Sequence, residues 1–128
     1  MRVLFDTDVL IDHLRGFPAS TAYLSKCQEM ERWISVLTVM ELHAAPNISS
    51  QQQEKMSRLF EGLTGVADVT VDTARKAGDL LARYGRSQGL NPVDALVAAT
   101  ALEMDAVLVT RNRRHFEFIA GLIVDTPY

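Results

Sequence analysis

Asp6, Glu41 and Asp94 each fall where an apolar run gives way to a polar turn or a helix start. Val3-Leu4-Phe5 leads into Asp6, Ile34-Ser35-Val36-Leu37 into Thr38 and Glu41, and Asn91-Pro92-Val93 into Asp94. A fourth run, Val107-Leu108-Val109, leads into Thr110-Arg111-Asn112. In a parallel sheet such positions converge on the crevice outside the carboxyl ends of the strands. Carboxylates gathered there repel one another and persist mainly where a cation lies between them. The three acids therefore read as one metal site. Oxygen donors around an open pocket, with positions left for water and a phosphate, suit Mg²⁺. His13, His43 and His115 are scattered and Cys27 stands alone, so no zinc spacing is present. No Gly-rich phosphate loop points to ATP or a dinucleotide.

Each acid also has a plainer role to weigh. Asp8 suits a helix N-cap better than Asp6, which lies before the expected cap. Thr38 and Glu41 have the Thr-x-x-Glu spacing of a capping box. Asn91 can cap, Pro92 fits the first helical position, and Asp94 in the first turn gains from the helix dipole. What favours chemistry at Asp94 is the apolar stretch Ala95-Leu96-Val97-Ala98-Ala99, which buries the helix and turns its start toward other elements. Asp8, Ser35 and Thr110 lie near the same strand tips and could hold water or carboxylate oxygens. Backbone capping is the competing role for the two hydroxyls. Arg111, Arg113, Arg114 and His115 form the densest basic cluster and could contact phosphates beside an acidic pocket.

These residues need strands and helices in alternation to position them. Arg2 to Phe5, Trp33 to Val36, Ala67 to Val71, Val107 to Val109 and Leu122 to Val124 read as strands. Helices are expected over Asp8 to Leu14, Ala19 to Glu31, Val39 to Ala45 with a stop at Pro46-Asn47, Gln51 to Leu63, Thr73 to Ser87, Pro92 to Met104 and Asn112 to Ile119. The strands are apolar throughout, so both sheet faces should carry helices. The expected fold is α/β, a three-layer α/β/α sandwich around a mostly parallel sheet of four to five strands.

A chain of 128 residues fits one domain, residues 1–128, and its 48% apolar and 23% charged composition is that of a packed globule. Net charge −3 excludes a uniformly basic protein but leaves room for a local basic patch. Asp6, Asp8 and Asp12 break any signal-peptide core, and no apolar run reaches the roughly 18 residues of a membrane span. A soluble, cytoplasmic protein is expected.

The four acidic-motif segments together resemble the PIN domain, and within it the VapC ribonucleases of toxin–antitoxin systems. The segments are Leu4 to Asp12, Ile34 to Leu42, Asp94 to Ala101 and Leu108 to Phe116, in order and over nearly the whole chain. The resemblance implies a PIN-like fold and a Mg²⁺- or Mn²⁺-dependent endoribonuclease with catalytic Asp6, Glu41, Asp94 and Asn112. It also implies an RNA substrate, a homodimer and inhibition by a cognate VapB-like antitoxin. The helices around Leu24 and Leu59 could supply an apolar dimer face. One departure matters: the fourth motif often carries an Asp where this chain has Asn112, a neutral oxygen donor. That favours one ion at Asp6 and Asp94, with Glu41 direct or through water.

Two other readings fit parts of the chain. Asp6-Thr7-Asp8 after an apolar strand resembles a haloacid-dehalogenase phosphatase, although the only lysine of the second half, Lys76, sits within a predicted helix. A degenerate PIN fold that only binds RNA or protein would accommodate Asn112.

Overall fold

Five parallel strands form the middle layer of a computed structural model that describes residues 1–45 and 47–128. They are β1 (Arg2–Phe5), β2 (Glu31–Ser35), β3 (Gly65–Ala67), β4 (Val107–Val109) and β5 (Val124–Asp125), in the order β3-β2-β1-β4-β5. The helices among the described residues are α1 (Thr7–Leu14), α2 (Pro18–Lys26), α3 (Val36–Ala44), α4 (Ser50–Glu61), α5 (Val71–Gln88) and α6 (Pro92–Met104). A 3₁₀ turn spans Arg113–His115.

Alternation along the strands divides the core in two. Leu4 and Leu108 face α5 and α6 and are fully buried. Val3, Phe5, Ile34 and Val109 face the opposite way, toward side chains of α1, α2, α3 and α4. The result is the expected α/β/α sandwich, with a sheet that is parallel throughout. On one face, α6 presents fully buried Ala95, Ala98, Ala99 and Ala101, small side chains that let the helix lie close against its neighbours.

The strand order reverses at β1. Phe5 pairs with Ile34 of β2 on one side and Val109 of β4 on the other. Asp6 continues the ladder by donating its amide to the Val109 carbonyl at 2.8 Å, and Thr110 donates to the Asp125 carbonyl at 3.1 Å. The chain ends leaving β1 and β4 therefore open side by side at the topological switch point, where open α/β sheets bind ligands.

Several boundaries differ from the sequence expectation. β2 starts at Glu31 and ends at Ser35, because the Ser35 side chain accepts from the Leu37 amide and starts α3 at Val36. The Thr38–Glu41 capping box does not form: Thr38 is buried inside the helix. α2 ends at Lys26 rather than Glu31, since Glu31 already pairs with Arg2 in the sheet. β3 is Gly65–Ala67 rather than Ala67 to Val71, because a reciprocal Thr70–Thr73 cap starts α5. Asn112 to Ile119 forms short-range turns rather than a continuous helix, and the last strand is Val124–Asp125. The stop expected at Pro46-Asn47 involves Pro46, which lies outside the described residues, and α3 ends at Ala44. Leu24 is buried in the core and Leu59 packs against it.

Candidate active site at the carboxyl edge of the sheet

Asp6 leaves β1 and becomes the N-cap of α1, accepting from the Thr7 amide through Oδ1 at 2.9 Å. This corrects the expectation that Asp8 would cap. Asp6 Oδ2 accepts from the Thr110 hydroxyl at 2.8 Å. Thr110 is fully buried at the tip of β4, and its Oγ1 also takes the Asn112 amide at 3.0 Å and lies 3.4 Å from Asp8 Oδ2. Asp8 Oδ2 in turn accepts the Arg111 amide at 3.0 Å. Thr110 thus holds the first and fourth motifs together through side-chain contacts.

Asp94 reaches the same edge from the start of α6. Asn91 Oδ1 caps the helix by accepting the Asp94 amide at 2.9 Å, and Pro92 takes the first turn, as expected. The Asp94 carboxylate is mostly covered, and its Oδ2 meets Asn91 Nδ2 at 3.0 Å and His115 Nδ1 at 3.2 Å. Both contacts fall on one oxygen, leaving Oδ1 for another partner.

Burial is the largest influence on Asp6, and the charges of Asp8 and then Asp94 add to it. Together they push its pKa up to about 6, against the lowering effect of Thr110 and the Thr7 amide. Burial also raises Asp8, with Asp12 adding to it and the Arg111 amide opposing. Asp8 Oδ1 is a buried oxygen without a hydrogen-bond partner. Such a cluster of desolvated, mutually repelling carboxylates has unmet demand for positive charge.

Glu41 is the third expected acid. It lies on α3, and its Oε1 accepts from the Thr7 hydroxyl at 2.8 Å. Thr7 Oγ1 is also 2.9 Å from the buried Thr38 hydroxyl. Glu41 is therefore tied to the residue next to Asp6. Sequence reasoning missed Thr7 because its hydroxyl sits in an Asp-Thr-Asp run where the acids draw attention. The signal was present on α3, where Thr38 and Glu41 share one helix face.

The donor chemistry fits a hard divalent cation: carboxylate oxygens, one of them orphaned, with hydroxyls in support. Yet among the described residues no three His, Cys, Asp or Glu side chains close into a ready metal cage. The expected trio of Asp6, Asp94 and Glu41 is thus not preassembled. Each carboxylate instead turns to its own donors: Thr110 for Asp6, Asn91 and His115 for Asp94, Thr7 for Glu41.

The remaining expected residues fall into different places. Ser35 is buried and spends its hydroxyl on the α3 cap. Asn112 is exposed and enters the network through its amide nitrogen in the main chain. Arg111 is exposed but held, donating to Asp12 Oδ2 at 2.8 Å and lying over the Phe17 and Tyr128 rings. Arg113 pairs with Glu117 at 3.4 Å, and Arg114 is exposed. His115 sits on Asp94 rather than outside the acidic cluster. A cavity of about 430 Å³ is lined by residues 111–115 and Glu117. Tyr128, which donates to Asp12 at 2.7 Å, was not anticipated.

Comparison with known proteins supplies context for this edge. The family model described as "PIN domain" matches residues 3–122. Ribonuclease VapC19 of Mycobacterium tuberculosis is 33% identical over 126 residues, 98% of each chain. Ribonuclease VapC10 of the same organism is 37% identical over 122 residues, 94% of this chain and 90% of that one. Among solved structures, a toxin–antitoxin complex from Klebsiella pneumoniae superposes with a TM-score of 0.79 at 30% identity, covering 98% of both chains.

Proposed function

The chain belongs to the PIN-domain family, among its VapC ribonucleases, and on that footing we propose that it is a Mg²⁺-dependent endoribonuclease hydrolysing RNA phosphodiester bonds. Mn²⁺ is the natural substitute ion, and a VapB-like antitoxin is the partner that restrains it, as the toxin–antitoxin neighbour suggests. The observation that carries the reading is the convergence of Asp6, Asp8 and Asp94 at the β1–β4 switch point. There burial, and after it the charges of Asp8 and Asp94, push Asp6 up to about 6.

Asp6 and Asp94 would hold the ion directly, and Glu41 directly or through water. The chemistry supplied by a divalent ion in such a site is charge neutralisation at a phosphoryl oxygen and acidification of water. Two carboxylates with retained waters suffice for Mg²⁺, so a closed cage is not required. Thr110 fixes the Asp6 carboxylate, and Thr7 fixes Glu41. Glu41 then orients the attacking water or takes its proton. His115 and Asn91 orient Asp94. Asn112 lacks the charge an aspartate would bring to this loop, which favours one ion over two.

Arg113 and Arg114 stand on the 3₁₀ turn beside the acids and would contact phosphates flanking the cleaved bond. Arg111 serves mainly through its backbone, since its guanidinium is spent on Asp12. The phosphatase reading finds no support, because Lys76 is exposed on α5. Sequencing RNA ends after expressing wild type and Asp94→Asn side by side tests the proposal. New 5′ and 3′ ends should accumulate at defined sites with the wild type only. Identical ends from both would refute it and leave a fold that merely binds RNA or protein.

A further inference from the structure

A second concavity, of about 420 Å³, lies between α1, α2, β2 and α4. Arg32 stands at the entry of β2, so this pocket is at the edge of the sheet away from Asp6. Arg32, Lys55 and Arg58 all line it, and no carboxylate does, in a chain whose net charge is −3. Among the described residues none of the three cations has an ion-pair partner.

Their gathering is built into the fold. The Arg32 guanidinium donates to the carbonyl of Gly62, the C-cap residue of α4. Gly62 leaves it room: a Cβ there would stand 3.1 Å from Arg32 Nη2. Lys55 and Arg58 are three residues apart on α4 and share a face. Opposite them, Ser25 on α2 and Gln28 just beyond it offer hydroxyl and amide donors. Thr21 Oγ1 is 2.8 Å from His13 Nδ1, which anchors that wall to α1. Burial first, then Lys55, lowers the pKa of His13, so the imidazole adds a polar wall rather than a fourth charge.

Three unpaired cations in one concavity repel one another, and an anion relieves the repulsion. Two guanidiniums and an ammonium, with hydroxyl and amide donors facing them, match a group with several oxygens and more than one negative charge. We propose that this pocket is a phosphate-binding site, separate from the acidic edge and independent of the nuclease reading. The phosphate could belong to an RNA backbone or be a free inorganic ion, and the two sources are separable.

The test follows backbone amide shifts of the full chain by NMR in EDTA, so that no cleavage intervenes. Inorganic phosphate is titrated first, then an RNA oligonucleotide, into wild type and the double variant Lys55→Gln with Arg58→Gln. Saturable shifts centred on residues 25, 28, 55, 58 and 62 are expected, with affinity about tenfold or more weaker in the variant. Amides far from the pocket should keep their positions, showing that the variant is folded. If RNA displaces the phosphate, the source is the RNA backbone; if RNA shifts only the Arg113–Arg114 region, it is the free ion. Shifts that do not saturate, or are equal in the variant, would overturn the proposal. Should RNA cleavage by the wild type also prove absent, this phosphate titration would still stand or fall by itself.

Discussion

At the scale of single residues, the central feature is a carboxylate that the fold makes reluctant to ionise. Asp6 loses its proton near 3.8 when unfolded and at about 6 when folded. Between those values the folded state holds a proton that the unfolded state has lost. Stability from this group therefore falls as pH rises through that window and stays lower above it. The loss is about 3 kcal/mol at most. Denaturant melts in EDTA from about pH 4 to about pH 7 should show the decline in wild type. In Asp6→Asn it should be smaller, with only Asp8 left to contribute, and with higher stability at neutral pH and cleavage abolished. Wild-type stability that rises steadily across the window would show that burial and its acidic neighbours do not hold a proton on Asp6. Thr7 gives a second residue-level expectation. Thr7→Val removes the hydroxyl between Glu41 and Thr38 and should cost about 1–2 kcal/mol in the same melts. It should also lower kcat with little change in KM, because Glu41 loses its tether while the RNA contacts remain.

At the scale of elements, β1, α6 and β4 were legible to the residue, because their signals are local. An unbroken apolar run marks each of the two strands, and Asn91-Pro92 starts the helix. The elements around β2 and β3 were displaced because serine and threonine caps decided them. Ser35 ends β2 and Thr70 starts α5, where apolarity alone suggested that the strands ran on. The same competition hid part of the site. Thr38 and Glu41 satisfy a capping pattern on paper, but the cap is Ser35, and both side chains are free to meet Thr7. Tyr128 and Asp12 were invisible for another reason. Their contact joins residues 116 apart in the chain, which no local pattern encodes. Gly65 shows how tightly β2 and β3 are fitted. A Cβ there would come within 2.6 Å of the Trp33 ring. Gly65→Ala should therefore lose roughly 1–3 kcal/mol. The change should be visible as an altered Trp33 emission and a lower melting temperature, and a variant as stable as wild type would show that the ring can simply step aside.

At the scale of the whole molecule, the fold places unlike charges at opposite needs. The acids collect where β1 and β4 open together, a basic turn carrying Arg113 and Arg114 borders them, and a separate basic pocket lies at the far edge of β2. A polyanionic substrate approaching a chain of net charge −3 has to be met by such local patches. Among the described residues no helix is long and apolar enough to cross a membrane. Asp6, Asp94 and Glu41 reach one edge from three elements far apart in sequence, and a shared ion would draw them together. The most direct measurement is the rate of RNA cleavage against Mg²⁺ concentration for wild type, Asp6→Asn and Asp94→Asn. A shared ion requires a saturable Mg²⁺ dependence in wild type, no cleavage in EDTA, and a loss of about a hundredfold or more in either variant. Cleavage that persists undiminished in EDTA, or that survives both substitutions, would contradict it.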